Sequence, residues 1–162
     1  MSGGTVYWID RCLGSEIVPR ALEGAGVAVR RYVDVYPNDP RVPDAVWIPE
    51  IAGRGWVAVT KDNEIRRNQV EIEALLRARA RHVFLGARKL TGEEQARCLL
   101  DHWSTIDSVV TNKAAPLLVL VTRQNVQWLE TAHIHRQARD SSRFCHIGRY
   151  KGRVLKIRRP YG

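Results

Sequence analysis

Short runs of β-branched and aromatic residues recur along the chain, each followed by a stretch whose apolar positions return every three or four residues. The runs 5-TVYWI-9, 27-VAVRRYVDVY-36, 56-WVAVT-60, 82-HVFLG-86 and 117-LLVLV-121 read as strands. The intervals 16–26, 45–55, 68–80 and 91–103 read as helices, and a further helix is expected between Ser104 and Pro116. Local punctuation agrees with this. Pro19 suits a first helical turn, Gly24 or Gly26 an end, Asp44 an N-cap for 45–55, and Thr91 with Glu94 a capping box. The run 56–60 is apolar almost throughout, which suits a central strand covered on both faces.

Strands that alternate with helices predict an α/β fold, with a mostly parallel sheet flanked by helices. The pattern fades after Thr122. From Arg123 the chain is polar and basic, with a short amphipathic piece near 126–137 and a terminal strand pair expected over 144–159. The expected organisation is one domain over 1–122 and a basic C-terminal extension over 123–162, packed on or beside it.

Composition narrows the function classes. A chain of 162 residues fits one domain, and its longest apolar run, near 117–121, is far short of the roughly 20 residues that span a bilayer. Residues 1–5 lack the basic and apolar pattern of a secretory leader, so a cytoplasmic, membrane-free protein is expected. Cys12, Cys98 and Cys145 are odd in number and far apart, which argues for reduced thiols over a disulfide framework or a zinc site. Lys and Arg outnumber Asp and Glu by 26 to 17, a net charge of +9. Such a surplus favours a polyanion or an acidic protein as partner.

Against that surplus, the acidic residues at strand ends stand out. Asp10 follows the first predicted strand, Asp62 the third, and Asp44 opens the helix after the second. In a parallel sheet all three belong to the carboxyl edge, where open α/β folds bind ligands. Converging carboxylates repel unless a cation joins them, and an oxygen-only set suits a hard divalent ion, Mg²⁺ in particular. Arg11, Lys61, Arg66 and Arg67 are then placed to hold the flanking phosphates of a polyanionic strand. Plainer roles compete for each residue. Asp44 would serve as a helix cap, Asp62 as a turn cap, Asp10 as an ion-pair partner of Arg11 or of an exposed lysine, and Arg66-Arg67 as a solvated face. His133 and His135 have strand spacing but no nearby acidic or cysteine partner, and Phe144, Tyr150 and Tyr161 stand among basic residues that would suit base stacking or sheet-edge packing.

The order YWIDRCLG, PDAVWI, GWVAVTKDNEIRRN resembles the PIN-like nucleases, most closely the bacterial subgroup that includes toxins of VapC type. The resemblance covers about residues 5 to 122. It implies a three-layer α/β sandwich and a Mg²⁺- or Mn²⁺-dependent endoribonuclease, with Asp10, Asp44 and Asp62 as catalytic metal ligands. It also implies an antitoxin partner and a homodimer. A fourth acidic ligand is not obvious, and Glu16, Glu64 and Asp107 are the candidates. Two other readings use the same strand-end aspartates: a PIN-like protein that binds RNA without cutting it, and a receiver-like signalling module. Receiver modules carry a lysine after the last strand, where this chain has Thr122-Arg123-Gln124.

Overall fold

In the computed structural model, which describes residues 4–62, 68–86 and 89–130, the apolar runs become strands of one sheet. These are β1 (Val6–Ile9), β2 (Ala28–Arg31), β3 (Val57–Thr60), β4 (Arg81–Leu85), β5 (Leu117–Val121) and β6 (Val126–Glu130). Between them lie α1 (Ile17–Gly24), α2 (Tyr32–Val35), α3 (Asp44–Gly53), α4 (Gln69–Arg77), α5 (Gly92–Asp101) and α6 (Trp103–Asn112). The sheet order is β2-β1-β3-β4-β5-β6, parallel throughout except for the antiparallel pair β5–β6. This is the mostly parallel, helix-flanked α/β sheet that the pattern predicts.

Alternation along the strands sorts the core into two layers. Tyr7, Ile9, Val57, Val59, Val83 and Leu85 face α1, α5 and α6, while Trp8, Ala58 and Phe84 face α2, α3 and α4. β3 is buried at every position, as its unbroken apolar run requires. At the head of α5, Thr91 Oγ1 accepts the Glu94 N–H at 3.2 Å and Glu94 Oε2 accepts the Thr91 N–H at 2.8 Å, which is the expected capping box.

Three local features depart from the pattern. The strand expected over 27–36 stops at Arg31, because the Arg31 N–H turns to Asp34 Oδ2 at 2.7 Å and starts the short helix α2. Tyr32 thereby enters the core, where its hydroxyl donates to the Asp39 carbonyl and accepts the Val42 N–H. The second departure is at Asp44, which is the first residue of α3 rather than its cap, a place taken by Pro43. Third, residues 126–130, expected within an amphipathic piece, form edge strand β6, with Trp128 packed in the α1/α5/α6 layer and Leu129 against the other. Among the described residues the sheet therefore runs past position 122 by one strand. The expected terminal strand pair over 144–159, Cys145, and the His133, His135, Phe144, Tyr150 and Tyr161 side chains lie outside the described residues. Among the described residues no helix is long and apolar enough to cross a membrane.

Candidate metal centre

The chain leaves β1 toward β2 on one side and returns to β3 on the other, so strand order reverses between β1 and β3. Open α/β sheets form their ligand crevice at such a reversal, outside the carboxyl ends of the strands. Asp10 and Asp62 follow these two strands.

Asp10 extends the β1 ladder by donating its N–H to the Val59 carbonyl at 3.0 Å, and it is only 6% exposed. Its Oδ2 accepts the Thr60 hydroxyl at 2.8 Å and the Cys12 thiol at 3.0 Å; neither bond uses Oδ1. Thr60, fully buried, also accepts the Asp62 N–H at 3.0 Å, so a single hydroxyl ties the ends of β1 and β3 together. Cys12 accepts the Lys61 N–H at 3.3 Å. Burial and the neighbouring Asp10 charge push its thiol up to about 12, so it stays a neutral donor to the carboxylate.

Asp44 comes from the first turn of α3. Its Oδ1 accepts the indole N–H of Trp47, one turn on, at 2.7 Å. Burial raises its carboxyl above the usual range, the Trp47 bond opposes that, and the charges of Asp62 and Asp10 add to the rise. Asp10 and Asp62 thus each lie within electrostatic reach of Asp44.

A further acidic residue that the sequence reading passed over joins them. Glu71 lies in the first turn of α4, where Asn68 caps the helix by accepting the Val70 N–H and donates to Glu71 Oε1 at 3.0 Å. Its Oε2 is buried and has no hydrogen-bond donor among the described residues. Burial first, then the charges of Asp44 and Asp62 and a contact with the Asp44 carboxyl, push Glu71 up to about 7. Two carboxyls in contact need a shared proton or a cation between them. The signal for Glu71 was available, since an acid in the first turn of a helix that follows a strand is the same placement that singled out Asp44.

The expected fourth ligands sit elsewhere. Glu16 is exposed and ion-paired with Arg20 at 2.8 Å and Arg31 at 3.6 Å. Asp107, on α6 across the sheet, accepts the Tyr7 hydroxyl at 2.7 Å. Arg11 and Lys61 are exposed beside the acidic group, while Glu64, Arg66 and Arg67 lie outside the described residues. Donor chemistry at the edge is oxygen-rich and, with the orphaned Glu71 Oε2, fits a hard divalent ion. Among the described residues, however, no three acidic, histidine or cysteine side chains stand at the spacing of a shared metal.

Comparison with known proteins agrees with this fold. Residues 5–87 match the family described as PIN like domain. Over 91 residues the chain is 37% identical to a Mycobacterium tuberculosis protein with the provisional name ribonuclease VapC45, an alignment that covers 55% of this chain and 66% of that protein. The chain thus spans just under two-thirds of this curated relative. No solved structure matches it significantly. With more than half of its length inside the family's match, the chain belongs to the PIN-like domain family.

Proposed function

We propose that the chain is a Mg²⁺- or Mn²⁺-dependent endoribonuclease, the toxin of a toxin–antitoxin pair. The observation that carries this reading is Glu71, whose Oε2 is buried without a donor among the described residues and whose carboxyl meets that of Asp44 within the field of Asp62. Asp10, Asp44, Asp62 and Glu71 are the residues that would hold the ion, with Asp10 oriented by Thr60 and Cys12. When bound, such an ion supplies an activated water and offsets the charge that builds on a phosphodiester under attack. Arg11 and Lys61, joined by Arg66 and Arg67, hold the phosphates on either side of the scissile bond. The relative's name supports RNA as substrate, and the surplus of positive charge, +9, suits a polyanion. An acidic antitoxin would meet the same charge, and the toxin would work in the cytoplasm, as a homodimer in the manner of its family.

A second reading is a PIN-like protein that binds RNA without cutting it, since among the described residues no three acidic, histidine or cysteine side chains stand at metal spacing. Membership in the PIN-like family sets both readings above the receiver-like module. Incubation of mixed RNAs with Mg²⁺, with Mn²⁺ and with excess EDTA separates the two. Cleavage with metal that stops in EDTA and in Asp10→Asn is the expected result; binding without cleavage under every condition selects the second reading.

A further inference from the structure

Ala58 leaves a gap in the aromatic face of the sheet. In the register of β1, β3 and β4 it stands between Trp8 and His82. Strand spacing sets those two residues about 10 Å apart, with only a methyl group between them. Trp47 from α3 spans the gap. Its ring centroid lies 4.8 Å from that of Trp8 and 5.4 Å from that of His82, stacked on the latter at 25°. Trp8, Trp47, Ala58 and His82 are each no more than 1% exposed. An indole clamped between two buried rings cannot change rotamer without opening the layer, so its N–H has one direction in which to point. That direction is Asp44 Oδ1, at 2.7 Å.

We propose that Trp47 is a positioning residue for Asp44: clamped by Trp8 and His82 over Ala58, its indole N–H fixes the carboxylate for a divalent ion. This rests on the metal-binding reading above. Asp44 sits at a helix start and is only partly buried, so its side chain would otherwise sample several rotamers. Donors that orient metal-ligating carboxylates commonly matter about 10–100-fold in metal affinity.

Trp47→Phe keeps a ring in the gap and removes the donor. Calorimetric titration with Mg²⁺ and Mn²⁺ is expected to show binding weakened about 10-fold or more relative to the unaltered chain, with the far-ultraviolet spectrum unchanged. Equal affinity in the two proteins overturns the inference alone, whereas absence of ion binding by the unaltered chain overturns the metal reading and the inference with it. Should Trp47→Phe not fold, ¹⁵N spectra of the five indoles decide. The Trp47 indole proton is expected downfield of the others, to move on Mg²⁺ addition and to move upfield in Asp44→Asn. An indole resonance that ignores both changes refutes the proposed coupling.

Discussion

The two faces of this sheet treat buried polar atoms differently. On the face covered by α1, α5 and α6, the Tyr7 hydroxyl reaches Asp107 and the Gln95 amide reaches the Leu90 carbonyl, within an otherwise largely aliphatic layer. On the face covered by α2, α3 and α4, Trp8 Nε1, both ring nitrogens of His82 and Glu71 Oε2 are buried with no partner among the described residues; on the first face only Arg81 Nε, at the start of β4, shares that condition. Each such atom costs about 1–3 kcal/mol. A fold retains costs of that size where geometry serves something besides stability. Asp44 and Glu71 approach each other on this aromatic side, whereas Asp107 and Glu16, engaged in ordinary pairs, belong to the other. The aliphatic layer holds the sheet, and the aromatic layer, under the proposal above, aims carboxylates.

Substitutions on the two sides are accordingly expected to fail in different ways. The largest effect is expected at the carboxyl edge, where Asp10→Asn or Glu71→Gln should lower metal-dependent RNA cleavage at least about 100-fold, the upper end of what even outer partners of a metal contribute. Both variants should still melt cooperatively, since relief of like-charge repulsion offsets the lost hydrogen bonds. Leu99→Ala, in the fully buried aliphatic layer, should do the reverse: a loss of about 2–5 kcal/mol in urea unfolding, with cleavage per folded molecule unchanged. Equal damage to activity from Leu99→Ala would break the comparison.

The pH dependence sharpens it. Glu71 rises from 4.5 to about 7 in the folded chain, so the folded state holds that proton more tightly than the unfolded state. The stability contributed by this proton is complete below about pH 4.5 and is lost as pH climbs through about 7. His82 falls from 6.5 to about 3 through burial, so its contribution is complete above about pH 6.5 and is lost as pH drops toward 3. Urea midpoints of the metal-free protein should therefore improve on acidification from neutral pH in His82→Phe and worsen in Glu71→Gln. Saturating Mg²⁺ should abolish the Glu71 part. His82→Phe, which keeps a ring against Trp47 and removes two orphaned nitrogens, should also gain about 1 kcal/mol near neutral pH. The smallest effect is expected at Glu16. Its exposed ion pairs with Arg20 and Arg31 predict a change under about 1 kcal/mol for Glu16→Gln and none in cleavage.

Much of this was legible in the chain because period and punctuation are local. Five strands and the capping box of α5 follow from residues within a few positions of one another. β6 was harder to see: five residues of mixed polarity become a strand only because β5 offers an open edge. Asp44 looked like a cap because its neighbours in sequence cannot show that Pro43 takes that place while Trp47 takes the carboxylate. Glu71 stayed hidden for a related reason. Its place in the first turn of α4 marks it as a candidate beside Glu73, which is exposed, but only the folded chain shows that it meets Asp44.

By itself, then, the sequence determined the order of the first five strands and the longer helices, and the strand-end position of Asp10 and Asp62, since each depends on hydrophobic period and chain direction. Tertiary structure alone decided which acids meet. Strand reversal between β1 and β3, the gap over Ala58 and the burial of Glu71 arise from segments dozens of residues apart, and carboxylate interactions depend on distances of a few ångströms that no local pattern encodes.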